Sequence, residues 1–319
     1  MNKFCILAAG KGTRNNNIEG LHKALLPLEN KPTISHIIDK LGDTEIVIAV
    51  GYKSEQIKTY MNLVHSDKNI TYVDVDNYDG VGSGPGYSLL CCKEHLQEPF
   101  VFTSVDTLVT DDIDIMSIDE NWLGVSSVDS DSSLQYCLVE GSKYLDRLYY
   151  GAGDTAYIGM AGIQDYEIFW DSLEKHKIIK DEYQVVHGFD GLEHMRLINF
   201  TWYDTGNNKS YNDTKKVFCN DIVANKSDEA IFIHQDKVIK YFNDPEKVSK
   251  RKKRTEYLNG TCTDIEVIND NMYSYDYVGG TLLSNVTDEN VMKNFLNYCQ
   301  DNLWTTRYSS DFSGYENTT

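Results

Sequence analysis

The chain has 319 residues, long enough for two domains, and carries 30 Lys and Arg against 49 Asp and Glu, a formal charge of −19. A hydrophobic fraction of 41% with 12% aromatics excludes wholesale disorder, and the acidity argues against a partner such as duplex DNA or an anionic membrane. No apolar run reaches the ~18 residues of a spanning helix, residues 1–10 lack the basic start of a signal peptide, and seven Cys without a CxxC pair fit reduced thiols, so a cytoplasmic protein is expected.

In chain order, Phe4-Cys5-Ile6-Leu7 is a short buried strand that ends in the loop Ala8-Ala9-Gly10-Lys11-Gly12-Thr13-Arg14. A helix over residues 33–41 follows, then a buried strand at Glu45–Val50 and an alternating strand at Ile70–Val75. Residues 88–96 read as a helix, and Phe100-Val101-Phe102 leads a strand toward Asp106. Strands alternating with helices predict an α/β sheet over the first two hundred residues. After about Lys215 the pattern changes. Residues 230–233 and 238–242 form a hairpin about His234-Gln235-Asp236, a charged helix with Pro245 at its first position runs over 244–258, a strand pair surrounds Tyr273–Val278, and residues 288–303 form an amphipathic helix. The expected division is 1–218 for the first domain, 219–306 for a small second one, and a loose polar tail over 307–319.

A strand leading into a glycine loop with basic residues turns backbone amides toward phosphate. Gly10 and Gly12 let the main chain approach oxygen atoms closely, while Lys11 and Arg14 add charge-assisted bonds. No Gly-Lys-Ser/Thr follows, so this is not the Walker pattern, nor is it GxGxxG. An isolated Gly-x-Gly would be an ordinary turn, but Lys23-Ala24-Leu25-Leu26-Pro27-Leu28 stands close behind, with Lys31-Pro32 after it. Together these segments resemble the signature of the nucleotidyltransferases that act on sugar phosphates and phospho-alcohols (LAAGxGxR…PKxLLP).

The resemblance implies a Rossmann-like mixed-sheet nucleotidyltransferase domain, and it continues along the chain. Val81-Gly82-Ser83-Gly84-Pro85-Gly86-Tyr87 occupies the place of the segment that contacts the base. Phe102-Thr103-Ser104-Val105-Asp106 resembles the strand ending in a magnesium-binding aspartate, Tyr157–Ile163 the YIGIAGI strand, and Trp202-Tyr203-Asp204-Thr205-Gly206 the element with the second metal aspartate. Two departures are His22, where many relatives have proline before the lysine, and the Asn15-Asn16-Asn17 stretch.

The site this implies has Arg14, Lys23 and Asp106 as catalytic residues. Leu7, Ala8, Ala9, Gly10, Lys11, Gly12, Thr13, Arg14, Gly82, Ser83 and Gly84 would contact the nucleotide, with Asp106 and Asp204 as ligands of Mg2+. The chemistry asks for such residues, because both reactants are anionic and positioning with charge neutralisation carries the catalysis. The attacking phosphate is already ionised near neutral pH, so none of the eight histidines is assigned as a base. Nothing in their spacing separates Glu182 and Asp190 from surface carboxylates, and Trp202 reads as core packing.

The C-terminal part resembles the small lobe of choline and aminoglycoside kinases. Lys240 on the hairpin matches the strand lysine that pairs with ATP phosphates, Glu256 its helix partner, and Tyr275-Asp276-Tyr277-Val278-Gly279-Gly280-Thr281-Leu282 the hinge. The His-Gly-Asp…Asn loop and the later metal-binding Asp motif do not occur before residue 319, so the expectation is either a piece of a longer bifunctional protein whose kinase catalytic lobe lies outside this sequence or a remnant, and no kinase activity is expected of this sequence as it stands. Lys250–Arg254 spread round a helix and read as a solvated surface rather than a nucleic-acid site.

The expected function is Mg-dependent nucleotidyl transfer from an NTP, CTP favoured, to a phosphorylated small alcohol or sugar. By resemblance, the activated product feeds surface polysaccharide or lipid decoration. A sugar-1-phosphate acceptor with another base, a metal-dependent glycosyltransferase of related fold and a catalytically idle nucleotide-binding protein remain as alternatives.

Overall fold

The computed structural model describes residues 3–14, 18–112, 119–129, 132–175, 182–219, 226–258 and 260–304. Asn15–Asn17 and the expected tail over 307–319 lie outside them. The chain divides into two compact units, Met1–Phe232 and Ile233–Thr319.

In Met1–Phe232 a mixed sheet is built outward from the strand Lys3–Ala8, which is buried from Phe4 onward. Parallel neighbours flank it, Glu45–Val50 on one side and Phe100–Ser104 on the other, so that Leu7 stands between Ala49 and Ser104. Strands covered on both faces are continuous apolar runs, which is why EIVIAV and FVF carry no alternation. Ile70–Asp74 continues the parallel side beyond Glu45–Val50. On the opposite flank Thr155–Ile163 pairs antiparallel with Phe100–Ser104 and leads to Leu138–Gly141 and Leu145–Tyr149; it also pairs with Trp122–Ser127, which is joined by Arg196–Asn199.

The sheet order places Lys3–Ala8 where the winding reverses, and such a reversal opens a crevice at the carboxyl ends of the strands on either side. The loop after Ala8 and the loop after Ser104 both emerge there. Beneath it, the helix Tyr166–Lys175 buries Phe169, Trp170 and Leu173, and Trp170 stacks on Phe100 at 5.3 Å between ring centroids. Burying aromatic side chains of this size contributes roughly 2–3 kcal/mol each, which fixes the strand Phe100–Ser104 that leads into Asp106.

Local chemistry moved some boundaries. The helix expected over 88–96 starts at Pro85 and ends at Cys91, followed by a 3-10 turn at Lys93–His95. Proline at the first position needs no amide partner, so the helix begins as soon as Gly84, at φ 137°, has turned the chain. The helix beginning at Thr33 stops at Ile38.

In Ile233–Thr319 the strand Lys237–Phe242 pairs antiparallel with Met272–Asp276, which pairs with Glu266–Asn269. The chain divides within the strand Glu229–His234. A small core gathers Phe242, Val248, Ile265 and Tyr273. The helix Pro245–Tyr257 is capped by Asp244, whose carboxylate accepts from the Glu246 N–H. Its basic run is a solvated surface, as expected: Lys250, Lys253 and Arg254 are exposed, Lys250 pairs with the equally exposed Glu246 at 2.7 Å, and Lys252 donates to the Ile265 carbonyl at 3.0 Å. Lys240 lies over the Tyr275 ring at 5.7 Å, and Glu256 is exposed on the helix. The helix Glu289–Asn302 buries only Cys299. Among the described residues no helix is long and apolar enough to cross a membrane.

Candidate active site

The glycine loop is shaped by its contact with Lys23. Gly12 sits at φ +63°, and a Cβ there would stand 2.9 Å from Lys23 Cδ, so only a glycine lets the loop lie along that alkyl chain. The Ala9 carbonyl is held by the Tyr52 N–H at 2.9 Å. Lys11 turns outward onto the Asp79 carboxylate, while Thr13 and Arg14 are exposed and the Arg14 carbonyl accepts from the Asn208 N–H at 3.2 Å.

Lys23 Nζ donates to Asp106 Oδ2 at 2.7 Å, both side chains being largely withdrawn from solvent. Burial by itself pushes the Asp106 carboxyl up. The Lys23 ammonium with its hydrogen bond, and more weakly Arg14, outweigh burial and hold it below the usual carboxylate range.

Asp204 arrives from 98 residues away by β pairing. The short strand Thr107–Val109 directly after Asp106 pairs antiparallel with Trp202–Asp204, setting Asp204 opposite Thr107. The Thr205 N–H then donates to the Asp106 carbonyl at 3.0 Å, closing the turn. Gly206 lies between the two carboxylates: a Cβ there would be 3.0 Å from Asp204 Oδ1 and 3.3 Å from Asp106 Oδ2. Asp204 accepts from the Gly206 N–H at 2.8 Å and from the Tyr136 hydroxyl at 3.0 Å. Its carboxyl is raised, first by burial and then by the charge of Asp106.

An adjacent carboxylate pair in which one charge disfavours the other is a donor set that a divalent cation relieves. Its hard oxygens suit Mg2+, which takes one or two carboxylates and leaves its other positions to water and phosphate. No cluster of three or more His, Cys, Asp or Glu forms among the described residues.

Leu7, Arg14, Asp106 and Asp204 line one cavity of about 440 Å³. Tyr136, Tyr150, Tyr157 and Trp202 also line it, together with Glu182 and Gln184. Glu182 is thus at the site, whereas Asp190 faces His187 at 3.7 Å. The expectation that Trp202 is core packing is corrected. The two-stranded ribbon that carries it borders the cavity through Thr107, Trp202 and Asp204, so the ring is half-buried in the cavity wall, edge-to-face with Tyr136 at 5.0 Å. The Trp202 Nε1 and Tyr157 hydroxyl are buried without a hydrogen-bond partner among the described residues. Tyr136 and Tyr150 carry no sequence signal, since their segments read as polar connections.

Gly84 and Gly86 are needed for a different contact. A Cβ on either would come within 2.7 Å of the Tyr183 carbonyl, and the Gly86 N–H donates to that carbonyl at 2.8 Å. This seats Pro85 in the cavity wall and fixes the segment bearing Glu182 and Gln184.

Residues 4–118 match the family model described as the MobA-like NTP transferase domain. The fold is a nucleotidyltransferase fold, a mixed α/β sheet of the nucleotide-diphospho-sugar transferase type. Over 128 residues the chain is 32% identical to the bifunctional protein GlmU of Methanococcus maripaludis (strain C5), covering 39% of this chain and 29% of that protein, so the chain spans less than a third of that relative's length. CTP:phosphocholine cytidylyltransferase from Streptococcus pneumoniae superposes with a TM-score of 0.57 at 19% identity, covering 69% of this chain and 100% of that one. UDP-glucose pyrophosphorylase complexed with UDP-glucose gives 0.56 at 17% identity, covering 68% and 98%. Both the family model and the GlmU match fall on the N-terminal part of the chain, which is what is similar to NTP transferases.

Proposed function

We propose that Met1–Phe232 transfers a nucleotidyl group from a nucleoside triphosphate to a phosphorylated small molecule, releasing pyrophosphate. The observation that carries this is the convergence of Asp106 and Asp204 about Gly206, with Lys23 on Asp106 and the glycine loop lying along Lys23. An oxygen of the acceptor phosphate attacks the α-phosphorus, the bond from that phosphorus to the bridging oxygen breaks, and pyrophosphate departs with the electron pair. Lys23 and Arg14 neutralise the phosphates, and the loop amides orient them. Asp106 and Asp204 would hold Mg2+, which when bound supplies further charge neutralisation. Tyr136, kept protonated by burial and the Asp204 charge, fixes the Asp204 carboxylate.

For the acceptor, what supports a phospho-alcohol with a cationic or apolar head is the aromatic wall. Tyr136, Tyr150 and Trp202 with Glu182 suit an alkylammonium group such as that of phosphocholine. CTP is the favoured donor on this reading. A phosphorylated polyol or a sugar-1-phosphate would use Gln184 and Asn207 instead.

The experiment is pyrophosphate release with ATP, CTP, GTP and UTP against phosphocholine, phosphorylated polyols and sugar-1-phosphates, with Mg2+ and with EDTA. Release that is abolished by EDTA is expected, with Tyr150→Ala raising KM for the acceptor. No release from any pair, with tight binding of nucleotide sugars instead, defeats the proposal.

For Ile233–Thr319, the hairpin with Lys240 on its second strand and the helix after it favour a kinase small-lobe relationship. Magnesium-dependent protection of Lys240 from acylation by ATP tests that reading.

A further inference from the structure

His22 is buried between the glycine loop and Lys23, and all its hydrogen-bonding groups are engaged. Its ring Nδ1 accepts from the Ala24 N–H at 3.1 Å. An amide can only donate, so Nδ1 carries no proton and Nε2 carries it, making Nε2 a donor to the Gly10 carbonyl at 3.2 Å. The backbone N–H of His22 donates to Gln56 Oε1 at 2.9 Å, and its carbonyl accepts from the Leu25 N–H at 2.9 Å. Gln56 in turn donates to the Gly20 carbonyl at 2.9 Å, tying the approach to His22 onto the helix Ser54–Val64. Burial and the neighbouring Lys23 charge keep the ring neutral at physiological pH, so the pattern persists in the working protein.

We infer that His22 is a positioning residue. Its ring is a strut of fixed tautomer that sets the Gly10 end of the phosphate loop at a defined distance from Lys23, so that loop and lysine meet the triphosphate already aligned. This rests on the nucleotidyl-transfer reading. A proline at this place could make neither the bond to Gln56, having no N–H, nor the one to Gly10, so in this chain the ring and Gln56 act as a pair. One hydrogen bond of this kind is worth roughly a factor of ten in how often the loop opens.

The test compares His22→Asn with His22→Gln. Asparagine keeps an acceptor for the Ala24 N–H but does not reach Gly10; glutamine reaches Gly10 with an amide donor. In ligand-free protein, His22→Asn is expected to speed hydrogen exchange at the amides of residues 10–14 by about tenfold, and His22→Gln to return it to within about threefold of the parent chain. In turnover, His22→Asn is expected to raise KM for the triphosphate by about tenfold with kcat nearly unchanged, again with rescue by His22→Gln. Unchanged exchange at residues 10–14 in His22→Asn overturns the inference, as does a fall in kcat alone shared by both variants. Should both variants misfold, ring 15N shifts of the parent chain decide: a neutral Nε2–H ring at pH 7 upholds the strut, and an Nδ1–H or charged ring refutes it. If the parent chain turns over no triphosphate, nucleotidyl transfer has failed, while the exchange result still tells whether His22 tethers the loop.

Discussion

Acid should weaken Met1–Phe232 through His22 by an amount that the structure allows to be worked out. The ring is lowered from the ordinary histidine value of 6.5 to about 3, first by burial, then by the charge of Lys23 and, more weakly, of Lys53, while its bond to the Gly10 carbonyl pulls the other way. Above pH 6.5 the ring is neutral in both folded and unfolded chains, and its contribution is constant. Between pH 6.5 and about 3 the unfolded chain takes up a proton that the folded one refuses, so stability falls with pH at up to about 1.4 kcal/mol per unit. At pH 5 the accumulated loss is about 2 kcal/mol. His36, lowered by burial as well, contributes equally to any His22 variant and cancels in a comparison. Urea unfolding followed by tryptophan fluorescence suits the measurement, because Trp122, Trp170 and Trp202 all lie in Met1–Phe232. Between pH 7.5 and 5.0 the parent chain should lose about 2 kcal/mol more than His22→Gln. Parallel loss in the two proteins would refute the argument, because the native ring would then accept a proton as freely as the unfolded one.

Three further outcomes follow from the carboxylates and the glycines around them. Asp106→Asn should cut pyrophosphate release by about a thousandfold, and a variant within threefold of the parent chain would remove Asp106 from the chemistry. Gly206→Ala, whose Cβ would crowd Asp204 Oδ1 at 3.0 Å and Asp106 Oδ2 at 3.3 Å, should raise the Mg2+ concentration for half-maximal turnover about tenfold with little change in melting temperature. An unaltered Mg2+ response would mean that the carboxylates do not share a cation. Gly84→Ala combines a left-handed backbone with a contact of 2.7 Å to the Tyr183 carbonyl and should cost about 2–4 kcal/mol, read as a drop in melting temperature. An unchanged melting temperature would show that the backbone at Gly84 yields freely.

The parts of this protein that follow a local rule were legible in its letters. The strands at Lys3–Ala8, Glu45–Val50 and Phe100–Ser104 are apolar runs because both of their faces are covered, and burial on both faces leaves its mark on every residue. The loop from Ala8 to Arg14 and the Lys23 segment stand out because close approach to phosphate demands glycine and cations within one short stretch. The helix Pro245–Tyr257 shows its own cap and proline. What the letters do not carry is adjacency across distance. Asp204 reaches Asp106 through a three-residue pairing with Thr107–Val109 too short to have a periodicity, and Trp202 on that ribbon and Tyr136 from a separate turn become cavity wall only when the fold brings them edge-to-face beside Asp204. His22 reads as a departure from a motif until the fold sets Gly10 on one side of its ring, the Ala24 amide on the other, and Gln56 behind its backbone. Sequence alone determined which segments could be strand, loop or helix, since those depend on neighbours in the chain. Tertiary structure decided which charges and rings share a site, since electrostatic and hydrogen-bonding partners are chosen by distance in space.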